Sequence, residues 1–477
     1  MSNDESRLKW YEGITKYQWL VLLIASLGWV FDVFEGQIFV ASMTDAMPAL
    51  LAPEADIEPT KSLISKWNNI ALGFFLLGGA VGGVFFGALS DRIGRSKTMI
   101  YTILFYSLFT CLSAFSQAPW QMVLLRFLVA MGVGGEWAVA SAMVAEVMPT
   151  RSRPVMSSIF HASSVFGTLL AVTTIYFLIG NASFNSMLAE AGFEGWRVGF
   201  AIGVLPALLT VWIRWKLREP DSWQRAKDRA ADDPTQARGR IKELFFAQNR
   251  RATFVGVSLA AVGLVTFWGI HIYGKNALLG PAEADVLEQA GLNPIEADAS
   301  VEEKNTYENA KDKILKDNKP QIKRAELLGM TLNTIGGGLG LLMFGWISSK
   351  LGRRGAFVFY QVIAFGMVLL LFLYLIPNKA SPAVLTFTVP IFGFFTLGMH
   401  AGYAVYFPEL YPTRLRGTGT GFCFNMGRLG AAAVFFILVP LLELSPARQV
   451  LWLSPLYLVG AVVVLFGKET RGEELPE

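Results

Sequence analysis

The stretch Gly87-Ala-Leu-Ser-Asp91-Arg92-Ile-Gly94-Arg95-Ser-Lys97 lies between two apolar runs, Ile70–Phe86 and Thr98–Phe115. Apolar runs of this length read as membrane-crossing helices, and so short a polar segment between them leaves room only for a tight turn. Glycine lets the chain reverse where a side chain would clash. Three cations against one acid hold the turn on the cytoplasmic side.

A second copy, Gly345-Trp-Ile-Ser-Ser349-Lys350-Leu-Gly352-Arg353-Arg354, follows 258 positions on (87 to 345). Another pair repeats in the same order: Glu146-Val-Met-Pro149-Thr150-Arg151-Ser-Arg153 returns as Glu409-Leu-Tyr-Pro412-Thr413-Arg414-Leu-Arg416. Two motifs repeating at nearly one spacing indicate a duplicated membrane domain. The first loop, G-x-L-S-D-R-x-G-R-x-K, resembles the signature of the major facilitator superfamily. That resemblance implies an all-α membrane protein of twelve transmembrane helices in two six-helix bundles. Residues 1–215 form the first bundle, 216–250 a basic cytoplasmic linker, and 251–477 the second bundle, with an extracytoplasmic insert at 276–324.

Composition agrees. Of 477 residues, 53% are hydrophobic and 16% charged, against about a quarter charged in soluble proteins. The net charge of +4 gives no reason to expect nucleic acid as a partner. Cys111 and Cys423 fall within apolar runs, so no disulfide is expected, and no cleavable signal peptide is visible. No nucleotide loop, metal-ligand cluster or nucleophile motif is present, so the sequence predicts neither an enzyme nor a bound metal or cofactor. Segments assigned to the inside carry about twice the Lys and Arg of those outside, which puts both termini in the cytoplasm.

Within the insert, Pro281–Gly291 reads as a short helix with proline at its start, and Ser300-Val-Glu-Glu303 as a capping box opening a helix to about Asp317. A helical cap on the outer face is the simpler expectation; a ligand-binding lid is the other. Expected spans include Tyr17–Ser42 (one), Trp67–Ser90 (two), Lys97–Ser116 (three), Pro154–Ile179 (five), Ala325–Ser348 (eight), Gly355–Leu375 (nine) and Gly417–Leu441 (eleven).

An ionisable group at a helix centre costs about 2.5–3.5 kcal/mol in a bilayer and needs a partner or a wet cavity. Span one carries Asp32 and Glu35 on one face, with Gln37 one position off it. Two carboxyl groups so close favour sharing a proton. Span four supplies Arg126 at a matching depth and Glu136 near its middle. Arg126 is the expected partner of both span-one acids. The resemblance links an arginine followed by a glycine-rich run, here Gly132-Val-Gly134-Gly135, to proton coupling. A static salt bridge is the alternative.

Span eleven brings Asn425 and Arg428. With no acid of its own half at that depth, Arg428 is a seat for a carboxylate or phosphate, or else pairs across the cavity with Glu136 or Asp32. Trp137, Trp268 and Tyr403 are candidates to stack on a substrate ring, and Gln37 to contact it. His161, His271 and His400 can relay protons or simply satisfy the core, with His400 the leading candidate. The segment around Phe422–Arg428, with Phe407–Arg414 before it, resembles the metabolite–proton symporter branch, which carries aromatic acids, sialate and monocarboxylates. That branch shows D-G-x-D in span one, where this chain has Asp32-Val-Phe-Glu35.

The resemblance also makes Gly87, Asp91, Arg92, Gly94, Arg95, Glu146 and Arg151, with Glu409 and Arg414 of the second copy, a cytoplasmic latch between the halves. Ser349 stands where the first copy has an acid, so the second latch should be weaker. The expectation is a monomeric inner-membrane carrier importing a small organic anion with protons by alternating access. A neutral-sugar carrier and a non-transporting sensor are the rivals.

Overall fold

The computed structural model describes residues 9–52, 60–175, 177, 182–292, 300–434, 436 and 446–477. Among these the chain is helical throughout. Helix α1 (Lys16–Leu51) opens with a capping box between Thr15 and Gln18 and runs nine residues beyond the expected Ser42. Helix α2 (Lys61–Ile93) is capped by Thr60, and α3 (Arg95–Ser113) follows after a single residue. That residue is Gly94, at φ 117°, where an L side chain would be strained. The turn is therefore tighter than the sequence indicates, since α2 passes Ser90 and α3 begins before Lys97.

Next come α4 (Pro119–Val147), α5 (Arg153–Ala162) and α6 (Ser164–Thr174), the last two being one crossing broken at Ser163. Helices α7 (Ala182–Glu190), α8 (Gly195–Ile202) and α9 (Ala207–Lys216) complete the first six crossings. A linker helix, α10 (Asp221–Asp232), was not expected. It buries Trp223, whose indole N–H donates to the Asp91 carbonyl at 3.0 Å.

Helix α11 (Arg250–Thr266) continues through π and 3-10 turns into α12 (Asn276–Gln289). Pro281 thus sits inside a helix rather than at its start, because the preceding crossing is carried on into the insert. Helix α13 (Val301–Asp317) has the expected capping box. Helix α14 (Lys319–Val368) holds both expected spans eight and nine in one element, kinked at Gly352, φ 80°. Gly352 is the counterpart of Gly94. Then follow α15 (Pro382–Gly398), α16 (Ala401–Tyr406), α17 (Arg416–Ala433), α18 (Pro446–Leu453) and α19 (Leu456–Leu465). The outer ends of expected spans five and eleven, to Ile179 and Leu441, lie outside the described residues.

Eight of these stretches are long and apolar enough by themselves to cross a membrane. The other crossings of the twelve are α3, α8 with α9, α17, and the second arm of the kinked α14. Helix α2 packs along α4 and α17, while α14 packs along α15 and α5. The contact between halves therefore runs through α2 with α17 and through α14 with α5. Asp32 and Glu35 lie on α1, Arg126 and Glu136 on α4, and Arg428 on α17 against α2.

Candidate functional site

Asp32 and Glu35 share a face of α1 but do not share a partner. Glu35 pairs with Arg126 and accepts the Thr110 hydroxyl at 3.1 Å. Arg126 also donates to Ser113 at 2.6 Å and lies between the rings of Phe39 (5.3 Å) and Phe200 (4.7 Å). Both groups are sealed, at 1% and 0% exposure. Removing one member would strand a buried charge, at a cost of about 3–5 kcal/mol.

The expectation that Arg126 holds both acids is thus corrected. Asp32, one turn inward on α1, faces Glu136 and the Tyr106 hydroxyl. Its exposure is 2% and that of Glu136 is 0%. Gly28 makes the room for this: a Cβ there would strike the Glu136 carboxylate. Among the described residues none donates a hydrogen bond to either carboxyl group.

Arg428 is half-buried on α17 and makes no hydrogen bond or ion pair among the described residues. Its guanidinium stands 5.6 Å over the Phe424 ring and fills the space beside Gly79 of α2, where any Cβ would collide with it. The carboxyl group acting on it is Asp32, across the seam. Asn425, against Gly83, donates to the carbonyls of Gly134 (3.3 Å) and Gly421 (2.9 Å) and leaves its own carbonyl oxygen unpartnered. Farther out on the same seam, a crevice of about 720 Å³ is lined by Ser62, Lys66, Asn69, Phe74 and Phe436.

The aromatic candidates form a row of rings across the seam. Trp137 stacks on Phe424 at 3.9 Å, Phe424 lies 6.1 Å from Tyr403, and Tyr403 lies 5.3 Å from His400. His400 is buried with Nε2 unpartnered, whereas His161 receives the Trp137 indole N–H and His271 meets Thr396 at 2.8 Å. The Tyr403 hydroxyl donates to the Leu259 carbonyl at 3.0 Å and its ring is fully buried. Trp268 is half-buried against Phe267, and Gln37 is exposed, so neither joins the cluster around Arg428.

At the ends that carry the signature loops the halves are closed on each other. Arg95 pairs with Asp91 at 2.6 Å and with Glu146 at 2.8 Å. Glu146 is also bound from the other half by Arg416 at 2.8 Å. Asp91 caps α17, accepting from the N–H groups of Gly417 (3.0 Å) and Thr418 (2.8 Å) and from the Thr418 hydroxyl. Glu409 takes both arms of Arg353 at 2.9 Å, with Arg153 of the first half 3.8 Å away. Arg151 and Arg414 take no part in these ion pairs. Arg151 bonds the Glu12 carbonyl, Arg414 pairs with Glu243 of the linker, and Arg92 reaches the Gly239 carbonyl.

The cross-half arginines are the second ones of each repeat, Arg153 and Arg416, which open α5 and α17, whereas Arg151 and Arg414 lie in the turns before those helices. Two further acids escaped notice. Glu219 caps α3 through the Arg95 N–H at 2.6 Å, and Glu469 takes the Arg353 N–H at 2.8 Å. Each lies over a hundred positions from its partner, with no local pattern to betray it.

The family described as sugar (and other) transporter matches residues 21–266 and 330–477, leaving out the insert. A cis,cis-muconate transport protein of Acinetobacter baylyi is 28% identical over 363 residues, 76% of this chain and 75% of that one. The sialic acid transporter NanX of Escherichia coli is 26% identical over 426 residues, 89% and 87% of the two chains. The structure of the major facilitator proton:xylose symporter XylE bound to 6-bromo-6-deoxy-D-glucose superposes with a TM-score of 0.69 at 17% identity, covering 96% of this chain and 98% of that one.

Proposed function

This chain belongs to the sugar (and other) transporter family of the major facilitator superfamily, and from that premise we propose that it imports a small organic anion together with protons. The observation that carries this reading is Arg428. A guanidinium on the seam, with no ion pair among the described residues and an aromatic face 5.6 Å beneath it, is suited to a carboxylate attached to a flat or apolar body. Relatives named for muconate and sialic acid support the substrate class. A sugar needs no such cation.

Asn425 orients the bound carboxylate, and Trp137, His400 and Tyr403 shape the seam beside it. Trp268 and Gln37 meet the substrate only on its way in. Asp32, Glu35, Arg126 and Glu136 form the proton-coupling region. Asp91, Arg95 and Glu146, with Gly87, Gly94 and Glu409, hold the inner ends shut while the outer side loads. Arg92, Arg151 and Arg414 tie that latch to the N-terminal segment and the linker. The protein works as a monomer in the inner membrane, with both termini cytoplasmic and the insert as an outer cap.

Counterflow in proteoliposomes tests the substrate reading. Arg428→Ala abolishes exchange of muconate or sialate, and Arg428→Lys, keeping the charge, retains part of it. Undiminished exchange in Arg428→Ala, or exchange of xylose but of no acid, would favour the sugar carrier.

A further inference from the structure

The charges at the centre of the molecule divide into a closed set and an open one. Glu35 and Arg126 neutralise each other: Thr110 and Ser113 add a hydrogen bond to each, two phenyl rings flank the guanidinium, and Glu35 Oε2 and Arg126 Nε alone are left without a hydrogen bond among the described residues. The open set is Asp32, Glu136 and Arg428. Asp32 and Glu136 are within hydrogen-bond reach of each other, and none of their four oxygens receives a donor among the described residues. Buried carboxyl oxygens in contact require a proton between them, since two facing acceptors only repel.

The other groups around the pair leave this balance alone. Glu35 on α1 is spent on Arg126 of α4. Tyr106 on α3 faces Asp32 without closing a hydrogen bond. His161 on α5 has Nδ1 engaged by Trp137, and α2 carries no titratable residue between Lys66 and Asp91. From the second half, Arg428 acts on Asp32, while His400 stands behind the Trp137–Phe424 stack.

We propose that the Asp32–Glu136 pair holds one proton in the empty carrier and two when an anion sits on Arg428, so that each singly charged anion enters with one proton and no net charge moves. The proposal rests on Arg428 being the anion's seat. In the empty state the single negative charge of the half-protonated pair offsets Arg428. When the anion takes over that role, the pair is left with an unbalanced charge in a low-dielectric core. It then takes a second proton from the outer solution. Anion and proton leave together on the cytoplasmic side, and the original state returns. The centre is neutral in both states, which is the condition for crossing the bilayer loaded or empty at comparable cost.

The test begins without substrate. Infrared difference spectra of the purified protein at neutral pH report protonated buried carboxyl groups. Arg428→Gln removes the offsetting cation, so the protonated-carboxyl signal rises about two-fold. Asp32→Asn leaves Glu136 ionised opposite Arg428, and the signal from this site is lost. An unchanged signal in Arg428→Gln, or its persistence in Asp32→Asn, overturns the proposal.

A second arm uses wild-type protein in liposomes with a trapped pH dye and labelled nicotinate and gentisate as probes. The expected result is equal uptake of protons and anions, at a rate unmoved by an imposed potassium–valinomycin potential. Two protons per anion, or potential-driven uptake, overturns the proposal. Transport of neither acid would count against the acid-carrier reading, and the infrared result would still decide this one.

Discussion

The two signature loops repeat in sequence and differ in what they hold. In the first, Asp91 pairs with Arg95 and caps α17 through the N–H groups of Gly417 and Thr418 and the Thr418 hydroxyl. In the second, Ser349 bonds only back to the Gly345 carbonyl of its own helix. The opposing helix has changed in step. Where the first loop meets Gly417 and Thr418, the second meets Pro154 and Val155, which offer one N–H fewer and no hydroxyl. The reciprocal ion pairs follow suit: Glu146–Arg416 closes at 2.8 Å, while Glu409–Arg153 stands at 3.8 Å. Duplication kept the fold of both loops, and one seam alone kept the polar lock. The α2–α17 seam carries the polar lock, and the α14–α5 seam is held mainly by packing.

This asymmetry can be broken from either side. Asp91→Ser makes the first loop resemble the second. It removes a buried carboxylate from Arg95 and from the end of α17, worth about 3–5 kcal/mol. The population open at the signature-loop ends should rise by two orders of magnitude or more, read by electron-spin distances across those ends. Arg416→Ala should act in the same direction with nearly the same size, because Glu146 then loses its partner from the other half.

Ser349→Asp works the other way. It places an acid one turn before Arg353, as Asp91 precedes Arg95, and should favour closure of the signature-loop ends by about 1 kcal/mol, some five-fold. Arg153→Ala should shift the balance least, because its pair is already slack. If Arg153→Ala opened these ends as far as Arg416→Ala, the distinction between the two seams would be wrong.

Much of this was legible in the chain. The doubled loops implied the duplication, and depth-matching alone brought Glu35 to Arg126. The capping box at Ser300 was realised as written. What was missed depends on helix rotation and distant partners. Asp32 turns to Glu136 because Gly28 leaves a hollow on that side of α1, which spacing alone does not reveal. Arg153 rather than Arg151, and Arg416 rather than Arg414, meet the other half because each opens a helix of the seam while its neighbour two positions back stays in the preceding turn. Glu219 and Glu469 cap helices from far along the chain, and the linker helix is held by one buried tryptophan.

The central claim is that these buried charges exist to carry a proton and an acid together. Uptake by the purified protein in liposomes, with an imposed inward proton gradient and a panel of muconate, nicotinate, gentisate, sialate and xylose, tests it most directly. The account predicts accumulation of one or more of the acids above equilibrium, collapsing when the gradient is discharged and absent in Asp32→Asn. Accumulation of xylose alone, or acid uptake indifferent to the gradient and to Asp32→Asn, would contradict it.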